Sequence, residues 1–563
     1  MASVVLRRSA ARPGQAIPPS PALPWAGLGL RYRSSRWVAA PALIGAVGLG
    51  GLCALRPLLA LGIVLLVALV VCVWARPALA AYLLIALTPV TAGINRGSAL
   101  PVVRPNEALA LVLGATLATR GVVRLRTGQM PKLRLDRLEL SLLLMAVTSS
   151  LVPLLWMAVR QESITQDDLL YALVLWKYLG LYVIIRASVS TDRQVRRCLW
   201  LAVTAGCIVA LLAILQSLGL FGVPRVLASY YAPFGYTDAF QARGSSTLGL
   251  PAATADLAII NLAVVSSLWW RYRRYRPVLA AAAALLVMGA LSAGEFSSAI
   301  GLFVGVICVA IVIRKPRLLW AFVPATLVAG YALRPVIARR LSGFQSASGL
   351  PVSWTGRLQN LQTYFWPKLF SNWNFLLGVR PSARVTVATQ ATGYVWIESG
   401  YTWLLWGGGI PLLASFLFLV YASARRGWQA ARGDSRGRSV AGVAVFAAII
   451  VITVLMTFDP HLTYRGSGDA FFSLLALAAP RAGRSGDLGE DHDALALAVP
   501  GGSRPDGSCE GHGAAARPAS AGGRPARPGE EHSALGLTSF RERPPGGSGS
   551  ERESPVLARE VRE

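Results

Sequence analysis

Trp396-Ile397-Glu398-Ser399-Gly400-Tyr401-Thr402-Trp403-Leu404-Leu405-Trp406-Gly407-Gly408-Gly409 closes a long polar segment and opens an apolar one. The segment, Arg339 to Trp406, is rich in Arg and Trp and has strongly apolar sequence on both sides. A polar stretch of that length between apolar spans reads as one large loop, and such a loop, loaded with cations and aromatics, is the natural place for a membrane protein's chemistry.

Outward from it, the 563 residues are 54% hydrophobic and only 15% charged, too apolar for a soluble protein of this size. Runs of about 20 apolar residues cross a bilayer as helices, because a helix satisfies its own backbone hydrogen bonds in lipid. About twelve to fourteen spans are expected, over residues 37–55, 57–75, 77–94, 106–119, 138–159, 169–187, 198–219, 253–270, 277–293, 298–313, 318–333, 396–421, 439–457 and 469–480. The 106–119 and 469–480 runs are short enough to be tilted, re-entrant or half-spans. The expected fold is all-α: a polytopic transmembrane helical bundle with one large extracytoplasmic loop, 334–395. Residues 1–36 read as a disordered basic cytoplasmic arm, 37–480 as the transmembrane domain, and the Gly-, Pro-, Ser- and charge-rich 481–563 as a disordered cytoplasmic tail. No short apolar core with a small-residue cleavage site follows Met1, so no signal peptide is expected.

The formal charge of +28 would suit nucleic acid, but its placement argues against that partner. Basic clusters occupy alternate connections: Arg120 to Arg137, Arg193 to Arg197, Arg271 to Arg276, Arg314 to Arg317 and Arg425 to Arg438. The connection at 160–168 is acidic instead. By the positive-inside rule the basic connections are cytoplasmic, so both termini are cytoplasmic and 220–252, 334–395 and 458–468 share the outer face of a cell membrane. Cys53, Cys72, Cys198, Cys207 and Cys308 lie in apolar spans, where cysteine acts as a small hydrophobe. No metal-binding spacing and no aspartate-rich cluster is seen, and no cofactor is expected.

Several groups could carry chemistry. The large loop holds Arg339, Arg340, Arg357, Lys368, Arg380 and Arg384 with no Asp or Glu among residues 334–397. Cations without a local counter-charge suit an anion, and the planar arginine fork suits phosphate. Trp354, Tyr364, Phe365, Trp366, Trp373, Tyr394 and Trp396 could stack on sugar faces or sit at the interface; the alternative is a segment resting on anionic membrane lipids. Gln241 to Pro251 is a small, polar run around Arg243. Asp459, His461 and Arg465 fall close together in 458–468, where histidine beside a carboxylate could act as a general base. Glu398 enters a span among aromatics, either as a proton acceptor raised by burial or as the partner of a loop arginine. Lys177, mid-span, either pairs within the bundle or faces a wet cavity.

Taken in order, these pieces resemble the O-antigen ligase and O-antigen polymerase superfamily over roughly residues 75–480. Arg243-Gly244-Ser245-Ser246-Thr247-Leu248-Gly249-Leu250-Pro251 is similar to the family's arginine-containing segment before a span. Gly356-Arg357-Leu358, then Trp366, then Leu376-Leu377-Gly378-Val379 is similar to its loop pattern. Glu398-Ser399-Gly400-Tyr401 through Gly409-Ile410 is similar to the span that follows. The resemblance implies a metal-independent membrane glycosyltransferase of cell-surface polysaccharide biosynthesis. It would transfer or polymerise a polyprenyl-diphosphate-linked glycan onto a hydroxyl of a glycan or lipid acceptor. Arg357 and Arg243 would then bind the diphosphate, with Arg380, Arg384, Arg465 and Tyr401 as further substrate contacts and Glu398 or His461 as the base. Glu398 stands where many members carry histidine. A flippase of lipid-linked oligosaccharide and a cell-wall glycan polymerase are the alternatives.

Overall fold

The computed structural model describes residues 56–94, 103–128, 136–231, 243–341, 352–387 and 393–480. All belong to the compact unit that spans Met1–Arg484. The expected span 37–55, the arm 1–36 and the tail 481–563 lie outside the described residues.

Among the described residues ten helices are long and apolar enough to cross a membrane, and three shorter apolar helices, Ala78–Thr91, Arg317–Ala332 and Ser467–Ala478, accompany them. The protein is therefore a polytopic helical membrane protein. Local sequence sets the helix starts. Proline opens Pro57–Ala75, Pro105–Arg126 and Pro251–Arg271, where its missing N–H would be unpaired in any case. Asp136, Thr165, Thr191, Ser399 and Ser435 cap their helices through side-chain oxygens.

Three expectations change. The 106–119 run belongs to a full helix of 22 residues, Pro105–Arg126, which Pro105 opens and the Arg-rich stretch Arg120 to Arg126 prolongs. The 169–187 run extends to a single span of 23 residues, Gln166–Ser188, with a one-residue irregularity at Leu173. The described residues of the 334–395 stretch are folded rather than plain loop. They form helices Arg334–Leu341, Val352–Asn360, Trp366–Leu369 and Asn374–Leu377, and a hairpin that pairs Arg384–Thr386 antiparallel with Tyr394–Trp396. That hairpin is the one departure from all-helical structure among the described residues. Its second strand takes Trp396 out of the expected 396–421 span, whose helix runs instead from Gly400 to Ala431.

The Pro251–Arg271 helix is central, packed against Asp192–Ser217, Arg276–Ser292, Phe296–Ile313 and Arg436–Leu455. Contacts sort the connections to two ends of the bundle. At one end Arg271 bonds Ser439, and the Asp192 carboxylate accepts from the Gly437 N–H. At the other, Arg380 reaches Asp168, the Gly244 N–H donates to the Ser292 carbonyl, and Arg357 reaches Asp459. The latter end holds the large folded segment.

Lys177 pairs within the bundle. Its Nζ lies 3.0 Å from Asp469 Oδ1 and 4.3 Å from the Tyr178 ring centre. Asp469 Oδ2 accepts from the Gly466 N–H, and Tyr178 Oη donates to the Thr463 carbonyl. The pair thus fixes the 458–468 connection to the Val174–Ser188 helix. Lys177→Met strands a buried carboxylate and should destabilise by about 3 kcal/mol, the lower end for a broken buried pair, since Lys177 keeps 22% exposure. Adding Asp469→Asn, which still accepts from Gly466, should restore most of that loss. A double-mutant cycle of thermal midpoints in detergent checks it; additive losses would refute the coupling.

Candidate functional site

The large segment is seated on the bundle by a break in a helix. Gly409 has φ 64° and ψ −156°, a backbone region open essentially to glycine alone. A Cβ there would lie 2.1 Å from the Leu376 carbonyl oxygen. Gly378, at φ +90°, would meet Gly408 N at 2.7 Å in the same way. The broken turn frees the Trp406 carbonyl, which accepts from the Val379 N–H at 2.7 Å. Trp406 itself is buried and donates from Nε1 to the Ser382 carbonyl. The glycine run that closes the opening stretch is thus a socket for Leu376 to Ser382.

Charge completes the seating. Asp168, fully buried, takes two hydrogen bonds from Arg380, Nε at 3.0 Å and Nη2 at 2.7 Å, and a third from the Ser382 N–H. Arg384 pairs with Asp167 and lies over the Tyr394 ring. Arg160 donates to Asn374 Oδ1 and to the Val379 carbonyl. The acidic connection 160–168 is therefore the counter-charge of the segment. For Arg357, Arg380 and Arg384 the expectation of no counter-charge is overturned: Asp167, Asp168, Glu398 and Asp459 supply it, all from outside 334–395. Arg380 and Arg384, expected at the substrate, are anchors in this structure.

The remaining candidates converge. The Val352–Asn360 helix presents Arg357, whose Nη1 lies 2.6 Å from Asp459 Oδ2 and whose Nε lies 3.7 Å from Glu398 Oε1. Trp354, on the same helix, packs on Phe458 at 5.2 Å and edge-on to Phe296 at 6.4 Å. Phe296 follows Glu295, which holds Arg243 Nη1 at 3.0 Å. Glu295 also acts through space on Arg357, Glu398 and Asp459, so both arginines belong to one charged cluster. Beneath it, His461 Nδ1 lies 2.8 Å from Asp256 Oδ2, with the two residues 1% and 3% exposed. His461 Nε2 and Asp256 Oδ1 are buried without a hydrogen-bond partner among the described residues.

The cluster perturbs its acids. Burial pushes Glu398 above the ordinary carboxylate range, opposed by Arg357 and reinforced by Asp459. Burial raises Asp459 too, against the pull of Arg357 and His461. Arg357 stays charged, because Asp459 and Glu398 outweigh its burial. For His461, burial disfavours the cation, but the Asp256 charge and hydrogen bond, with Asp459, prevail and raise its pKa.

Of the residues singled out from sequence, Arg243, Arg357, Glu398 and His461 come together here. Glu398 is the partner of a loop arginine, the second of its two expected roles, with Asn360 as a further hydrogen-bond partner. Tyr401 lies apart, its hydroxyl bonded to the Thr453 carbonyl at 2.8 Å. Arg465 is near the half-buried Tyr171 and the buried Tyr178. Sequence reasoning passed over Asp256 and Glu295. Asp256 did leave a signal: a lone carboxylate within an apolar span is functional or paired by default.

Neither a protein-family profile, nor a curated protein, nor a solved structure matches this chain.

Proposed function

We propose that this chain is a membrane glycosyltransferase acting at the extracytoplasmic face, with a polyprenyl-diphosphate-linked glycan as donor. The convergence of Arg243, Arg357, Glu398 and His461, from three connections far apart in sequence, is the observation that carries the reading. Arg243, Arg357 and Glu398 sit in the segments through which the chain resembles O-antigen ligases and polymerases, and His461 lies in the separate connection 458–468. The alternation of basic connections supports the outward orientation.

In this reading an acceptor hydroxyl attacks the anomeric carbon. A new C–O bond forms there as the bond from that carbon to the phosphate oxygen breaks. The electron pair leaves with the diphosphate, and the acceptor proton passes to a protein base. The leaving group gathers negative charge, so fixed cations stabilise the transition state more than the ground state. Arg357 and Arg243 supply that charge. A guanidinium carries five N–H donors, so pairing with carboxylates does not exhaust it. The raised pKa of Glu398 also eases its release from Arg357 when a stronger anion arrives. Displacement at one face inverts the anomeric configuration.

The test is the full chain in liposomes with a polyprenyl-diphosphate-linked oligosaccharide and a glycan acceptor. Release of polyprenyl diphosphate with a new glycosidic bond is the expected outcome. The Lys177–Asp469 pair inside the bundle favours a second reading, movement of the intact lipid-linked glycan. Transbilayer movement without cleavage would replace the first reading with that one. For the base, His461→Ala should lower turnover by about 10²-fold or more, whereas Glu398→Gln should chiefly raise KM for the donor; the reverse pattern would make Glu398 the base.

A further inference from the structure

The Asp256–His461 pair has the geometry of an oriented imidazole. Asp256 stands near the start of the central Pro251–Arg271 helix, and His461 in the short turn His461–Thr463 that crosses above it. The carboxylate takes Nδ1 at 2.8 Å, and the Tyr464 ring lies 4.9 Å from the imidazole. Both partners are buried, so neither rotates without breaking packing. With Nδ1 engaged, Nε2 is the only ring nitrogen left for a reacting hydroxyl, and it has no hydrogen-bond partner among the described residues. A carboxylate on one ring nitrogen selects the tautomer in which that nitrogen carries the proton and the other bears a lone pair.

We propose that Asp256 is the positioning residue for His461, holding Nδ1–H so that Nε2 takes the acceptor proton. This rests on the transferase reading given above and adds a residue that the resemblance does not supply. Asp256 acts through His461 and need not touch substrate.

Charged and titratable groups face His461 from several directions: Asp256 from the central helix, Asp459 from its own segment, Arg357 from the Val352–Asn360 helix, and Tyr464. Glu295 acts one step further out, on Asp459 and Tyr464. The Lys177–Asp469 pair beyond is self-neutralising. Arg357 and Asp459 oppose one another, which leaves Asp256 the leading charge set against burial. The pKa of His461 is raised in the fold. The pairing therefore stabilises the protein fully below the unfolded imidazole value of about 6.5, and that contribution is lost as pH rises through the folded value. Turnover that needs neutral His461 rises over that same upper range.

The protein offers a direct test, because its other histidines are His492, His512 and His532. Replacing those three by Gln in the full chain leaves His461 as the single imidazole, observable by NMR with labelled histidine. His461 is expected to titrate above the ordinary value of about 6.5, and Asp256→Asn should move that titration down by roughly one pH unit or more. The acid limb of the turnover profile should follow it down. Turnover at the plateau should fall about 10²-fold or more, because an amide can flip to donate to Nδ1 and so select the wrong tautomer. A wild-type titration at or below the ordinary value overturns the proposal, with no variant required. So does a titration that Asp256→Asn leaves in place. If the titration behaves as expected but no glycan is transferred, the pairing stands and the transferase reading fails. Transfer with an unmoved titration has the opposite meaning.

Discussion

Arg357→Ala should abolish glycan transfer, with a loss of about 10²-fold to 10³-fold or more, while the protein still inserts and purifies. Removing one preorganised donor from a site of developing negative charge has an effect of that order. Arg357 is also the hub of its cluster, so the loss is expected to exceed that of Arg243→Ala, whose side chain is 40% exposed against 23%. Arg357→Lys keeps the charge but not the planar fork, and should recover only part of the activity. The substitution has a structural side too. It leaves Asp459, 7% exposed, without its cation, and a stranded buried charge destabilises by about 3–5 kcal/mol. Combining Arg357→Met with Asp459→Asn separates the two effects: stability should return and transfer should not. Donor consumption in liposomes beside thermal midpoints reads both. Full activity in Arg357→Ala would remove the diphosphate-binding role, and recovery of transfer in the double variant would reduce Arg357 to a structural cation.

Membrane helices are legible from sequence because the requirement that makes them is local. Each span must bury its own backbone bonds in lipid, so its apolar run and its ends can be read alone. Charge pairing obeys no such locality. Arg380 meets Asp168 and Arg384 meets Asp167 across more than 200 positions, with separations of 212 and 217. Arginines that have no counter-charge within their own segment are paired in the fold. The same holds for Arg357, whose carboxylate Asp459 is 102 positions away. The order and pattern of the quoted segments marked out Arg243, Arg357 and Glu398, and a neighbouring carboxylate marked out His461, but the sequence did not show which carboxylates would hold them. Asp256 lies within an apolar span rather than a loop, and a buried imidazole is oriented from beneath, by the helix it rests on. The glycine run was legible as composition but not as a socket: a broken helix and a flexible one have the same letters.

That socket yields the other large effect. Gly409→Ala should detach the folded segment from the bundle. The substitution meets two penalties at once. The φ/ψ pair of Gly409 is strained by roughly 1–3 kcal/mol for a residue with a side chain. The added methyl would also sit 2.1 Å from the Leu376 carbonyl oxygen and 2.6 Å from Leu377 N, both backbone atoms that no rotamer change can move. Relief requires either that the helix close its break, which withdraws the Trp406 carbonyl from the Val379 N–H, or that Leu376 to Ser382 lift away. In both cases the Arg380–Asp168 clasp opens, and Asp168 is left fully buried without its cation. The apolar helices do not depend on that clasp, so membrane insertion should be unchanged while the segment becomes open to protease between Arg357 and Arg384. Gly407→Ala is the control, since a Cβ there meets nothing closer than Leu412 Cδ2 at 3.8 Å. Limited trypsinolysis of both variants in detergent decides the matter. Equal protection of the two would mean that the helix break is incidental. Selective cleavage of Gly409→Ala, with loss of transfer, would mean that Arg357 is held in place from a turn of helix that carries no functional side chain of its own.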